Sequence, residues 1–116
     1  GTTMPKDDRI KKRQRLLLEI EQAIKLANRE VIHKRIPPVT TEGVMPFAIL
    51  VAKLRARYLE AGYKLAEKEH GKTPDDAEVA LLRKKQEAYE AARDAFDALT
   101  TAIERGYVKT GKNDDD

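Results

Sequence analysis

Apolar residues recur at intervals of three, four and seven along the first third of the chain. This spacing predicts one face of an α-helix over residues 7–35, with Asp7 or Asp8 as its N-cap. Three further leucines widen the apolar stripe beyond the seam of a two-stranded coiled coil, so we expect this helix to contact two neighbours. The stripe contains Ile10, Leu17, Ile20, Ile24, Ala27 and Val31, and the additional leucines are Leu16, Leu18 and Leu26.

A second amphipathic pattern predicts a helix from near Pro46 to His70, with Gly71 in the left-handed conformation after its end. An earlier start near Thr41 is the alternative, and it would place Pro46 inside the helix as a kink. Because the first turns of this helix are apolar on all sides, they lie at the centre of a bundle or are covered from outside the chain. Gly62 is interpreted as a point of close helix packing. The predicted buried side contains Phe47, Leu50, Val51, Leu54, Tyr58, Ala61 and Leu65.

A third helix has a clear start signal in the sequence TPDDAEV. Thr73 is the expected N-cap, Pro74 suits the first turn, and Asp76 completes a capping-box-like pattern. The apolar seam then continues as far as Gly106, where we expect the helix to stop. Only four residues separate this helix from the second, so the two are expected to be antiparallel neighbours. Its seam contains Leu82, Tyr89, Ala92, Phe96, Leu99 and Ile103.

These patterns predict an all-α fold, an elongated antiparallel three-helix bundle made of a helical hairpin and an N-terminal helix. We expect a single domain over residues 7–106. Residues 1–6 are interpreted as a tag remnant with a disordered N-terminus, in which Met4 is the native start, and residues 107–116 as a disordered tail. The coiled-coil-like stripes also permit a homodimer, in which helices of two copies share one core.

Composition narrows the functional classes. Of the 116 residues 37% are charged, and cysteine is absent, which excludes disulfides, thiolate catalysis and cysteine zinc sites. No apolar run approaches the roughly 18 residues that a membrane span requires, and no secretory signal is recognisable. We therefore expect a cytoplasmic protein without a membrane partner. The net charge is +5 over residues 1–35 and −3 over residues 73–105, a gradient that suits nucleic acid, an acidic partner or self-association.

No constellation of residues indicates catalysis. Two Glu-x-x-His matches, which end at His33 and His70, have the ligand spacing of di-iron bundles. In an antiparallel hairpin these histidines lie at opposite ends, roughly 36 Å apart at 1.5 Å per residue, so we interpret both as solvated. Serine is absent, and no glycine-rich phosphate loop occurs. We predict no catalytic residue, metal, cofactor or small-molecule substrate, and hence no enzyme.

The connection between the first two helices has the sequence IPPVTTEGVMPF and carries a single charge. Flexible linkers are polar and rich in glycine and serine, so this composition indicates another role. Its apolar side chains either fold back to plug the open end of the bundle or form an exposed docking patch for a protein. The candidate interaction residues are Ile36, Val39, Val44, Met45 and Phe47.

Cations crowd the first turns of the first helix, where they oppose the helix dipole. They are Arg9, Lys11, Lys12, Arg13 and Arg15. Such a cluster suits phosphates or an acidic protein surface, although aromatic residues that could stack on bases are missing nearby.

Because catalytic residues are missing, the leading functional prediction is a non-enzymatic protein-protein interaction module, such as an adaptor, a chaperone-like protein or an assembly subunit. It would bind through an apolar helix face and the 36–47 loop. The alternative is an accessory protein that binds nucleic acid through the basic segment.

Overall fold

A computed structural model describes residues 5–111 and contains three α-helices. They are α1 (Lys6–His33), α2 (Thr41–Glu69) and α3 (Asp76–Glu104). No β-strand occurs between residues 5 and 111, where the one bridge found pairs Val39 with Thr110. The predicted all-α, three-helix fold is confirmed, and α2 and α3 pack against each other. The homodimer stays a prediction.

The described residues form two compact units. One comprises residues 5–39 together with 102–111, and the other comprises residues 40–101. Whether residues 7–106 fold as one domain stays a prediction. The predicted tag remnant and N-terminal tail lie outside the described residues up to residue 4, whereas Pro5 and Lys6 already belong to the start of α1.

The α2–α3 hairpin is held by the seam that the sequence predicts. Phe47 meets Phe96 edge to face, with ring centroids 5.3 Å apart, and Tyr58 stacks on Tyr89 at 6.1 Å. Val51 lies among them on the same face of α2 and is only 7% exposed. Aromatic pairs in these geometries stabilise by about 0.5–1.5 kcal/mol beyond the area that they bury. Leu50 is the exception to the prediction, because it is exposed.

Helix α2 begins at Thr41, which confirms the alternative start and not the one near Pro46. The Oγ1 atom of Thr40 accepts a hydrogen bond from the Gly43 N–H at 3.0 Å and so caps the helix. This cap provides an acceptor for one of the backbone amides that the first turn of the helix leaves without a partner inside the helix. Pro46 consequently lies inside the helix.

The connection from α2 to α3 contains two left-handed residues, since His70 has φ 47° and Gly71 has φ 83°. The cap of α3 is Asp75, two residues later than the predicted Thr73. Asp75 provides the cap because two reciprocal hydrogen bonds form there. Its carboxylate accepts from the Glu78 N–H, and the carboxylate of Glu78 accepts from the Asp75 N–H. Gly62 does not mediate close packing, because a Cβ placed there would have no neighbouring atom within 4 Å.

The end of α3 is closed by two backbone hydrogen bonds. The Tyr107 N–H donates to the Ala102 carbonyl at 2.8 Å, and the Gly106 N–H donates to the Ile103 carbonyl at 3.1 Å. With Gly106 at φ 72°, this is the Schellman arrangement, so the predicted stop at Gly106 is confirmed.

The expected disordered tail is corrected for residues 107–111. Val108 is 5% exposed, and the Val39 N–H donates to the Lys109 carbonyl at 2.8 Å. The Gly111 N–H returns a hydrogen bond to the Val39 carbonyl at 2.6 Å. The segment around Val108 is thus held in place by hydrogen bonds to Val39, a residue that is distant in sequence. Residues 112–116 lie outside the described part.

Helix α1 begins at Lys6, one residue before the predicted range of 7–35, and ends at His33, two residues before the end of that range. Pro5 occupies the N-cap position with φ −54°, and no side chain caps the helix. The predicted cap at Asp7 or Asp8 is therefore wrong, and both aspartates lie in the first turn instead. Their charges suit the positive end of the helix dipole there.

Candidate protein-interaction surface

The predicted apolar stripe of α1 faces solvent. Its five large side chains are between 38% and 59% exposed, and no residue of the helix is buried. The expectation that two neighbours cover this stripe is therefore wrong for the single chain. We call this surface the α1 stripe. It consists of Ile10, Leu17, Ile20, Ile24, Ala27 and Val31.

A different face of α1 is the one that packs. Its half-buried residues are Lys25, Asn28, Arg29 and Ile32, which are spaced by three or four residues and are mostly polar. The side chain of Lys25 extends over Gly106, because a Cβ built on that glycine would lie 2.9 Å from the Lys25 Cε atom. Lysine methylenes can cover backbone in this way while the ammonium stays solvated. The polar face is thus used inside the chain, and the apolar stripe is left open.

A second exposed apolar stripe runs along α2, on the side opposite the α3 seam. Its members recur at intervals of three or four, and its four large side chains are between 46% and 73% exposed. We call it the α2 stripe. It consists of Met45, Ile49, Ala52, Ala56, Leu59 and Tyr63. The sequence indicates that the start of α2 is apolar on all sides, but the alanines conceal the continuation of a second face.

The five loop residues predicted for protein contact divide into two groups. Ile36 and Met45 are 37% and 50% exposed, respectively. Val39 and Val44 are half-buried, and Phe47 is also half-buried, against Phe96. The loop is therefore neither a complete plug nor a continuous docking patch, and only its two exposed members keep a free apolar surface.

All five cations predicted for contact with nucleic acid or an acidic partner are exposed on the first turns of α1. The ion pairs formed between residues 5 and 111 involve other cations, such as Lys68 with Glu78 at 2.8 Å and Arg93 with Asp94 at 3.1 Å. The structure thus places the cluster on the same helix as the α1 stripe, where Asp7 and Asp8 of the first turn offset part of its charge.

Two arginines surround Tyr89 on the hairpin. The Arg55 Nε atom donates to the Tyr89 hydroxyl at 3.2 Å, and the guanidinium carbons of Arg55 and Arg93 lie 5.1 and 5.4 Å from its ring centroid. The hydrogen bond from Arg55 is the main cause that lowers the pKa of Tyr89 from its ordinary value. The contact of Arg55 with Tyr89 joins α2 to α3. Asp94 forms an ion pair with Arg93, so the cluster carries one net positive charge.

Other kinds of site are not indicated in the part of the chain that the structure describes. There, no cluster of three or more histidine, cysteine or acidic side chains is arranged to hold a metal ion. Across residues 5–111, none of the helices has an apolar stretch long enough to cross a lipid bilayer. Comparisons with protein families, curated proteins and solved structures found no match to this chain.

Proposed function

We propose that the protein is a non-enzymatic interaction module that binds protein through the α1 stripe. The observation that carries the proposal is the exposure of its five large aliphatic side chains along one face of a 28-residue helix. Taking such a side chain from full exposure to full burial stabilises by about 1.5–3 kcal/mol. These five side chains are between 38% and 59% exposed, so about half of that value is available for each of them on binding. Contiguous exposed apolar surface of this kind marks interaction sites in soluble proteins.

The 36–47 loop supports the same function in a reduced form. Ile36 and Met45 keep exposed apolar surface, and methionine adapts its shape readily to a partner. Phe47 is occupied by Phe96 and contributes to the hairpin instead. We therefore retain the first two as contact residues and assign Val39, Val44 and Phe47 to the packing of the chain itself.

Affinity capture with matched variants tests this proposal. Wild-type chain, Ile20→Asp and Gln22→Asp are immobilised and exposed to cell extract and, separately, to purified untagged chain. Both positions are exposed on α1, but only Ile20 belongs to the stripe. We expect a protein retained by the wild type and by Gln22→Asp but lost from Ile20→Asp. Equal retention by all three, or retention by none, would contradict the proposal, provided that circular dichroism shows the same helix content.

The exposed cations of α1 favour a second candidate function, the binding of nucleic acid. Backbone phosphates would release counterions on contact, so the logarithm of affinity should fall with that of salt concentration by about 0.9 per phosphate contact on duplex DNA. Changing Lys11, Lys12, Arg13 and Arg15 to alanine should remove the binding and its salt dependence. The same changes at Lys84 and Lys85, exposed on α3, should have little effect. Binding that is absent, or equally weak in both variants, excludes this candidate.

A further inference from the structure

The α1 and α2 stripes both leave large apolar side chains in solvent. These side chains are between 38% and 59% exposed in the α1 stripe and between 46% and 73% exposed in the α2 stripe. Contiguous exposed apolar surface of this kind marks a site of association. A partner that covers only one of the stripes would leave the other in solvent.

The α1 and α2 stripes match in length. The first extends from Ile10 to Val31 and the second from Met45 to Tyr63. At 1.5 Å per residue these correspond to roughly 32 and 27 Å along the helix axes. Two helices could therefore cover each other's stripes along their whole length.

The stripes also match in side-chain size. The middle of the α1 stripe carries large aliphatic residues, Leu17, Ile20 and Ile24, whereas the middle of the α2 stripe carries Ala52 and Ala56. Large side chains fit into the space above small ones when two helices pack with ridges in grooves. Larger residues at the ends of the α2 stripe would then meet the ends of α1.

The helix dipole favours an antiparallel orientation. Arg9 and Arg13 border the N-terminal end of the α1 stripe, whereas one glutamate borders each end of the α2 stripe, Glu42 at its start and Glu67 at its end. The arginines would therefore meet a carboxylate in either orientation. Only an antiparallel pair also places them at the negative end of the α2 dipole, whereas at their own helix terminus they oppose the dipole.

We propose that a second copy of this chain covers both stripes. In this dimer α1 of each copy lies antiparallel on α2 of the other, so that two equivalent helix pairs are related by a two-fold axis. An association of α1 with α1 alone would leave both α2 stripes in solvent. The inference rests on the proposed function and names the partner that the α1 stripe binds.

Cysteine cross-linking tests the arrangement directly, because the natural sequence contains no cysteine. Ile20→Cys and a differently tagged Ala56→Cys chain are unfolded together, refolded so that chains exchange, and treated with a short bifunctional maleimide. We expect a covalent product that carries both tags. Gln22→Cys, on another face of α1, replaces Ile20→Cys as the control and should give at least about tenfold less product.

Two results would overturn the proposed dimer. Efficient linking of Ile20→Cys to itself, without linking to Ala56→Cys, would show that α1 pairs with α1. A single chain that carries both Ile20→Cys and Ala56→Cys provides the second test. If its two cysteines are linked within that chain and no link forms between chains, the protein is a closed monomer. Circular dichroism of each variant before cross-linking shows whether the helices are retained. Val31→Cys with Met45→Cys provides an independent pair at the other end of the stripes if Ile20→Cys does not fold.

The capture experiment separates this inference from the proposed function. Suppose that the wild type retains a protein other than this chain, that Ile20→Asp does not retain it, and that no cross-link to a second copy forms. The proposed dimer is then wrong, and the proposed function stands. If neither a second copy nor another protein contacts the α1 stripe, both are wrong. If the cross-link forms as expected, both are supported, and Ile20→Asp and Ala56→Glu should each raise the dimer dissociation constant at least about 100-fold by placing an unpaired charge in the interface.

Discussion

Asp75 and Glu78 exchange two hydrogen bonds at the start of α3. The Asp75 Oδ1 atom accepts from the Glu78 N–H at 2.8 Å, and the Glu78 Oε1 atom accepts from the Asp75 N–H at 3.1 Å. The other carboxylate oxygen of Glu78 accepts from the Lys68 Nζ atom at 2.8 Å. One glutamate thus completes the cap of α3 and ties it to the end of α2, which fixes the hairpin that carries the α2 stripe.

Removal of this cap should destabilise the hairpin. We expect Asp75→Ala to lower the free energy of unfolding by about 1 kcal/mol, because the backbone amide of Glu78 loses its acceptor. Thr73→Ala is the matched control and should change it by only a few tenths of a kcal/mol, since Asp75 supplies the cap. Urea denaturation followed by circular dichroism measures both values. A larger loss in Thr73→Ala than in Asp75→Ala would contradict the observed cap.

The same carboxylate should make stability depend on pH. The hydrogen bond from Lys68 is the main cause that lowers the pKa of Glu78 from 4.5 to about 2, and the Asp75 N–H adds to it. Because this pKa is lower in the folded state, the stabilising contribution is complete above about pH 4.5 and is lost as the pH falls towards 2. The pKa of Glu69 is raised, mainly by its hydrogen bond with Glu78, so Glu69 has the opposite, partly offsetting effect.

We therefore expect the melting temperature of the wild type to fall more steeply than that of Glu78→Gln between about pH 5 and pH 2. Glu87→Gln, at an exposed position of the same helix, serves as the control and should follow the wild type. Thermal melts at several pH values measure the difference. Parallel curves for wild type and Glu78→Gln would show that this carboxylate does not contribute in the way described.

Two glycines should respond in opposite directions to the same substitution. Gly106 has φ 72°, so Gly106→Ala should destabilise the protein by about 1–2 kcal/mol through backbone strain. Gly62 lies inside α2 with free space around it, so Gly62→Ala should stabilise by about 1 kcal/mol. Chemical denaturation of the two variants tests the Schellman stop and the absence of close packing at Gly62. Effects of the same sign would contradict one of the two assignments.

The loop residues Met45 and Phe47 should separate binding from stability. Phe47→Ala loses the edge contact with Phe96 and part of its burial, and it should cost about 2 kcal/mol of folding stability. Met45→Ala should leave stability nearly unchanged and weaken partner binding instead. Denaturation and the capture assay measure the two effects. A Phe47→Ala variant that is as stable as the wild type but no longer binds the partner would show that Phe47 belongs to the interaction surface.

The sequence predicted the helices well because each follows a strong local periodicity. The α2–α3 seam was also predictable, because Phe47, Tyr58, Tyr89 and Phe96 recur at helical spacing on two segments that a short connection forces together. The position of the α3 cap was less determined, since both Thr73 and Asp75 fit the local pattern. The choice depends on the Glu78 side chain, which also binds Lys68 on the neighbouring helix.

The candidate surface was predicted only in part. Periodicity identifies the apolar face of α1 correctly, but it does not say whether a neighbour covers that face. The burial of Val108 and its neighbours beside Val39 depends on contacts that are distant in sequence, so composition alone indicated a disordered tail there. The α2 stripe was missed because Ala52 and Ala56 weaken the apolar signal in its middle.

Sedimentation equilibrium of the full chain over a wide range of concentrations tests most directly whether the two stripes form an interface between copies. We predict a mass that approaches twice 13.1 kDa for the wild type and for Gln22→Asp, and a monomer mass for Ile20→Asp and for Ala56→Glu at the same concentrations. A wild-type mass of one chain at every concentration, or a dimer that persists in both stripe variants, would contradict it.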